Sequence, residues 1–308
     1  MISTVTLNPA LDKTIVVKDM TLGGLNRVEE ALKSAGGKGI NVSKALKALE
    51  TETMALGIIA GDTGRWIKEY MSLNNIPHDF VFGDGETRTN LKIFDQSTET
   101  ITEFNEWGNR VDQESIQEIF HKVKSYAEQS EFVVLSGSVP KGCTDEIYRE
   151  LISFLKSSVK SVLDCDGVLF AKGIEAVPSI VKPNLYELGK LFNKTIKDEQ
   201  EVLACGRTLL EDGIEKVLVS MGAEGSILIT KPACYKALPL KVDVKSTVGA
   251  GDSMVAGFLH ALAEGMNDLE ALGFAAACGT AAVMTAGTEM FARSDVMEIW
   301  PRICVEEI

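Results

Sequence analysis

The sequence predicts an α/β protein: a mainly parallel central sheet covered by helices on both faces, with a second, small sheet projecting from it. Three observations carry this. Short apolar runs recur along the chain, at 53–59, 132–135, 161–163, 180–182, 217–219 and 227–229. Between them lie stretches whose apolar residues repeat at helical spacing. Two segments, at about 13–30 and 87–105, break this alternation with short strand patterns of their own. Strands that alternate with helices point to a parallel sheet between two helical layers, with ligands at the carboxyl ends of the strands.

The elements follow in order. Residues 1–7 alternate as a first strand, and Ile15, Val16 and Val17 form a short strand before Gly23 and Gly24. A helix opens at the glycine-rich stretch beginning with Gly36 and runs through Leu49, with Val42, Leu46 and Leu49 on one face. Residues 89–94 and 100–104 alternate as two strands joined by a polar turn at 95–99. Asp112 precedes a helix whose Ile116, Ile119, Phe120 and Val123 share a face, as a capping residue does. Asp198 with Glu201 has the form of a capping box, and Gly213 is a stop for that helix. Val242 and Val244 read as a strand before Thr247, and an apolar helix follows at Met254, Val255, Phe258, Leu259 and Leu262. The weakly polar run 272–286 is short for a membrane span and reads as a buried helix packed through small residues.

Composition narrows the classes. The 308 residues fit one large α/β domain or two small ones. A net charge of −13 argues against nonspecific nucleic-acid binding, and an anionic substrate would need a locally basic pocket. The six cysteines form no C-x-x-C pair and read as free thiols in a reducing compartment. Three histidines are too few for a histidine-rich metal site and read as surface or packing residues. The first residues lack a basic start and an apolar core, so a cytoplasmic protein is expected.

Five short motifs bear on chemistry. Thr247-Val248-Gly249-Ala250-Gly251-Asp252-Ser253 opens a helix with two glycines, so main-chain N–H groups can approach an anion that the helix dipole favours. Asp252 beside such a hole suits a general base next to a transferring phosphoryl group; a capping aspartate is the plainer reading. Gly36-Gly37-Lys38-Gly39-Ile40-Asn41 offers close backbone approach, a cation and an amide, but has neither Walker A nor dinucleotide spacing. Asp12, in Asn8-Pro9-Ala10-Leu11-Asp12, sits where a carboxylate can accept sugar hydroxyls, or where a turn residue would sit. Lys182-Pro183-Asn184 followed by Glu187 is explained by helix capping alone, and Ser220 with Gly222 and Gly225 by a tight hairpin.

The order of the motifs is more specific than any one of them. N-P-A-L-D, G-G-K-G-x-N-V, K-P-N-x-x-E, V-S-x-G-x-x-G and T-V-G-A-G-D-S together strongly resemble the ribokinase-like (PfkB) carbohydrate kinases, from residue 4 to about 287. The resemblance implies a single domain over 1–308, a three-layer α/β/α sandwich with the two irregular segments as a β-sheet lid. It implies Asp252 as catalytic base and Gly249, Ala250 and Gly251 as the anion hole. Asp12, Gly37, Gly39 and Asn41 match sugar-binding positions. Asn184 and Glu187 match a motif linked to Mg2+ and phosphate placement, with Glu187 acting on the metal through water. Ser220, Gly222, Gly225, Thr247 and Gly287 match the nucleotide side, and the small helices around Ala275, Ala282 and Gly287 resemble its adenine wall. ATP, a sugar phosphate and a homodimer formed through the lid are the implied partners.

Thr87-Arg88-Thr89-Asn90-Leu91-Lys92 and Thr102-Glu103-Phe104-Asn105 look like the branch acting on ketohexose monophosphates, leaning toward fructose 1-phosphate, with tagatose 6-phosphate and fructose 6-phosphate as neighbours. A sugar phosphate needs cations, which Arg27, Lys38, Arg88 and Lys92 can supply, Arg88 as the best fork. A non-catalytic sugar-phosphate sensor is the alternative from another class. The chain departs from the branch at Glu50, at Trp107-Gly108-Asn109 and at Asp164-Cys165-Asp166-Gly167.

Overall fold

The computed structural model describes residues 1–156, 158–285 and 290–308. Strand β1 (Ile2–Thr6) leads into β2 (Ala10–Val17) and β3 (Val28–Gly36), then helix α1 (Lys38–Ala48). Next come β4 (Thr53–Ala60), α2 (Gly61–Leu73), β5 (His78–Gly83), β6 (Arg88–Asp95), β7 (Thr100–Asn105) and α3 (Gln113–Ala127). The middle of the chain alternates: β8 (Phe132–Ser136), α4 (Ile147–Leu155), β9 (Lys160–Asp164), α5 (Gly167–Ile174), β10 (Ile180–Val181), α6 (Leu185–Leu191), α7 (Glu199–Glu211) and β11 (Lys216–Ser220). Strands β12 (Ser226–Thr230) and β13 (Cys234–Ala237) precede α8 (Ala250–Ala263), α9 (Asp268–Met284), α10 (Arg293–Ile299) and β14 (Val305–Glu307).

Among the described residues the larger sheet has ten strands in the order β14-β13-β12-β11-β10-β9-β8-β1-β4-β5. The strands from β11 to β5 run parallel, and β12, β13 and β14 add an antiparallel edge. Successive side chains of a strand point to opposite faces, so each central strand must be apolar on both. Val133 and Leu135 pack with α3, α4, α5 and α7, while Phe132 and Val134 pack with α1, α8, α9 and α10. The result is three layers. Small residues let α8 and α9 approach closely: a Cβ on Gly257 would stand 2.6 Å from Cys278 Sγ.

The local signals hold. Asp112 accepts from the Ser115 N–H at 2.8 Å, and Asp198 accepts from the Glu201 N–H at 2.9 Å, but the capping box predicted there is not reciprocal, because the Glu201 carboxylate accepts from Lys197 N and not from Asp198 N. Gly213 follows α7 at φ +109°, a conformation that favours glycine. The six cysteines are free, with Cys143 half-buried and Cys304 exposed. His260 packs against Phe274 and bonds Thr51 Oγ1. No helix among the described residues is long and apolar enough to cross a membrane.

The small sheet has the order β3-β2-β6-β7 and is wider than the two predicted segments, since β2 begins at Ala10 and β3 extends to Gly36. Strand β3 escaped prediction because its first six residues are all exposed, which erases the alternation that marks a half-buried strand. The predicted strand at Val242 and Val244 is absent. That segment meets no strand edge, Val244 is exposed, and Lys245 and Ser246 donate to Val283 O at the end of α9.

Candidate active site

The strands β1, β8, β9, β10 and β11 end on one side of the sheet, and their next residues gather the polar groups. Helix α8 starts there without a side-chain cap. Gly249 is its first flanking residue at φ +76°, a left-handed conformation. Among the described residues no atom lies within 4 Å of a Cβ built on it, so conformation rather than crowding favours glycine. Asp252, in the first turn, does not cap the helix: its Oδ2 accepts from Asn41 Nδ2 at 2.8 Å. The carboxylate is buried at the positive end of the α8 dipole. Burial and the nearby Asp164 push it up to about 6, against the pull of Asn41, Lys38 and Lys182.

Asn41 reaches Asp252 because α1 starts at the Gly36–Gly37 turn. Gly37 sits at φ +113°, and a Cβ there would stand 2.6 Å from Thr6 Cγ2. A Cβ on Gly39 would meet Thr6 Oγ1 at 2.5 Å and Ser136 Oγ at 3.1 Å, so α1 can lie on the ends of β1 and β8 only with glycine there. Lys38, beside them, donates to Asp164 Oδ1 at 2.9 Å and lies 4.0 Å from Glu187 Oε1. Burial alone would lower the Lys38 ammonium, but Asp164 raises it above its ordinary value.

Asp164 and Lys182, which the sequence reading named within motifs without giving either a role, join this cluster. Asp164 ends β9 with no exposure, and its Oδ1 lies 3.4 Å from Lys182 Nζ as well. Burial would raise this carboxyl, yet Lys182 and Lys38 hold it below the usual range. Lys182 also stands over the amide cradle, 3.4 Å from a Cβ built on Gly251. The signal that could have found both is a charge at the end of an apolar strand run. In this cluster the Lys38 and Lys182 ammonium groups face the carboxylates of Asp164, Asp252 and Glu187. The start of a helix such as α8 can also receive an anion through main-chain N–H groups.

Asn184 and Glu187 form a reciprocal capping box on α6: Glu187 N donates to Asn184 Oδ1 at 2.8 Å and Asn184 N to Glu187 Oε2 at 2.9 Å. Burial raises the Glu187 carboxyl above its ordinary value. Ser220 bridges to Asn184, and Ser220 N donates to Pro183 O at 3.1 Å. Gly222 and Gly225 turn the β11–β12 hairpin at φ +58° and +91°. Thr247 is exposed just before the cradle, and Gly287 lies outside the described residues. Among the described residues no group of three or more His, Cys, Asp or Glu side chains could hold a metal ion. Glu187 Oε1, and Asp164 Oδ2 without a partner among the described residues, fit a cation bound through water and substrate oxygens, as Mg2+ prefers.

On the small sheet, Asp12 is buried and accepts from Asn90 Nδ2 at 2.9 Å. A Cβ on Gly36 would stand 2.2 Å from Asp12 Oδ2, so a larger residue there would displace the Asp12 carboxylate. Lys92 is buried two residues beyond Asn90 on the same strand. Arg88 is partly committed: Nε and Nη2 donate to Asn8 O at 3.2 and 2.9 Å, and Nη1 to Glu106 O at 3.3 Å. One N–H on each Nη remains to face a ligand. Arg27 does not join the cluster. It is exposed and adjoins Val28, which pairs with Val17, five residues along β2 from Asp12 or roughly 17 Å at strand rise.

Comparison with known proteins agrees with this geometry. Residues 5–293 match the family model described as pfkB family carbohydrate kinase. The chain is 37% identical over 302 residues to a 1-phosphofructokinase of Bacillus subtilis, covering 97% of this chain and 98% of the relative. It is 35% identical over 309 residues to a 1-phosphofructokinase of Borreliella burgdorferi, covering 100% and 99%. The crystal structure of phosphofructokinase-2 from Escherichia coli in complex with fructose-6-phosphate superposes with a TM-score of 0.92 at 26% identity, covering 98% of both chains. With a family model spanning nearly the whole chain and an amide cradle carrying a buried carboxylate where the motif predicts it, this protein belongs to the pfkB family of carbohydrate kinases.

Proposed function

We propose that this kinase transfers the γ-phosphoryl group of ATP to O6 of fructose 1-phosphate, giving fructose 1,6-bisphosphate. The observation that carries the reading is the buried Asp252 at the start of α8, held by Asn41 and tuned close to neutrality. A carboxyl near 6 is mostly ionised at neutral pH, yet basic enough to accept the hydroxyl proton as attack proceeds. A sensor without activity would have no use for so costly a buried carboxylate, which favours the enzyme reading.

Asp12 and Asn41 orient the sugar in this mechanism. Lys38 and the unspent N–H groups of Arg88 hold the phosphate already on it. The N–H groups of Gly249, Ala250 and Gly251, with Lys182 beside them, stabilise charge on the group in transit. Ser220, Gly222, Gly225, Thr247 and Asn184 face the nucleotide. Mg2+ would be held by Glu187 through water, and when bound it disperses the negative charge of the nucleotide phosphates.

The small sheet acts as a lid that excludes water during transfer. Its exposed Leu32, Ile101 and Phe104 favour a homodimer formed through the lid. A single screen tests the assignment: initial rates with fructose 1-phosphate, tagatose 6-phosphate and fructose 6-phosphate at fixed MgATP. The highest kcat/KM is expected for fructose 1-phosphate, in line with the names of the two relatives. A clear preference for either other sugar replaces the substrate, and no ADP release with any of them removes the proposal.

A further inference from the structure

Helix α1 carries a buried ammonium group one turn beyond Asn41. Lys44 is only 6% exposed. Its Nζ donates to Ser34 Oγ at 2.7 Å and to Ala35 O at 3.3 Å, and it lies 5.7 Å from the centre of the Tyr70 ring. Tyr70 Oη is itself 3.3 Å from Ser34 Oγ. Ser34 and Ala35 are the root of β3, where the small sheet joins the body through Gly36 and Gly37. In the β2–β3 ladder Ser34 stands directly opposite Asp12. Side chains of directly opposed residues project from the same face of a sheet. Ammonium, hydroxyl and carboxylate therefore form a row beneath the cleft, with Asn90 closing its far end against Asp12.

A buried ammonium is costly unless hydrogen bonds and opposite charge meet it. Nothing at a merely structural joint between a helix and a strand calls for one, since apolar side chains fill such joints at lower cost. We propose that Lys44 is a positioning residue for sugar capture: it fastens the root of β3 to α1 and keeps Asp12 aimed at the sugar. The inference rests on the reading of Asp12 as a sugar ligand given above.

The surrounding charges fix the expected pH response. Asp12 faces Lys44 from β2, Asp252 from α8 and Tyr70 from α2, while β3 brings the neutral Ser34 hydroxyl and Ala35 carbonyl. Burial pushes the ammonium down to about 8, against the pull of Asp12 and then Asp252. Lys44 thus carries its charge below about pH 8 and loses it above. Sugar capture weakens on that alkaline limb, while nucleotide binding, on the other side of Asp252, does not.

Steady-state kinetics of the full chain test this with Lys44→Met and Lys44→Arg. Lys44→Met is expected to raise the sugar-phosphate KM about tenfold or more, with kcat and the MgATP KM within about threefold. Lys44→Arg restores the sugar KM and abolishes the alkaline limb, because a guanidinium stays charged. An unchanged sugar KM, or equal losses for sugar and nucleotide, overturns the proposal. A second measurement needs no substrate: carbon NMR of labelled lysine side chains in the free protein. One lysine should titrate near about 8, vanish in Lys44→Met, and titrate lower in Asp12→Asn. A midpoint unmoved by Asp12→Asn also overturns the proposal. A wild-type protein inactive on every sugar would count against the substrate assignment only, because the lysine titration still reads the Asp12 coupling.

Discussion

Replacing Asp252 by asparagine separates the chemistry of this site from its architecture. The substitution keeps the volume and still offers a carbonyl to Asn41 Nδ2, so both ligands should bind. It removes the proton acceptor. A general base contributes about 10²- to 10⁴-fold, or about 3–5 kcal/mol of barrier, so kcat should fall by that factor with both KM values within about threefold. Stability should move the other way. The carboxyl lies at about 6 in the folded protein against an ordinary 3.8, a difference of about 3 kcal/mol at neutral pH. The folded state holds this proton more tightly than the unfolded chain. The group therefore costs nothing below about pH 4, and its cost grows as pH rises through about 6 and then stays constant.

Asp252→Asn should thus raise Tm at pH 8 by a few degrees and raise it much less at pH 4.5. In the wild type, kcat/KM should fall as pH drops through about 6. Thermal melts at the two pH values and ADP-release rates across pH 5–8 provide the data. A variant keeping kcat within about fivefold refutes the base assignment, because that lies below the range for such a group. A Tm gain equal at both pH values refutes the burial argument.

Three further substitutions probe the surroundings. Asp164→Asn removes the charge that helps hold Asp252 high and frees Lys38 and Lys182 to favour its ionised form, so the acid limb of the rate profile should move to lower pH; a limb that stays or moves up contradicts the cluster electrostatics. Arg88→Ala should raise the sugar-phosphate KM by about 30-fold or more, the effect of losing about 2 kcal/mol from a desolvated pair, and lower Tm through the orphaned Asn8 and Glu106 carbonyls; an unchanged KM leaves Arg88 as a structural latch. Glu50 follows α1 at φ +63°, where a side chain is strained, so Glu50→Gly should stabilise by about 0.5–1 kcal/mol without changing kcat, less the exposed ion pair with Arg293; a loss of Tm shows that the ion pair outweighs the strain.

The sequence alone determined whatever depends on neighbours within a few residues. The helix face of Ile116, Ile119 and Val123, the caps at Asp112, Asn184 and Asp198, and the glycine-led start of α8 obey rules that act over one or two turns. The order of the five short motifs carried the family. What needed the tertiary structure depends on partners far along the chain. Strand β3 forms because β2 lies beside it, and Val242 fails to form a strand because no strand among the described residues does. Arg27 and Arg88 look alike in sequence, but strand length carries one to the far end of the small sheet and leaves the other at its root. The chemistry of Asp252 was equally open: as a cap it would be an ordinary exposed carboxylate. Contact with Asn41, 211 residues away, burial, and an Asp164 held between two lysines make it a base, because the charge state of a carboxyl is set by the medium and charges around it and not by its own identity.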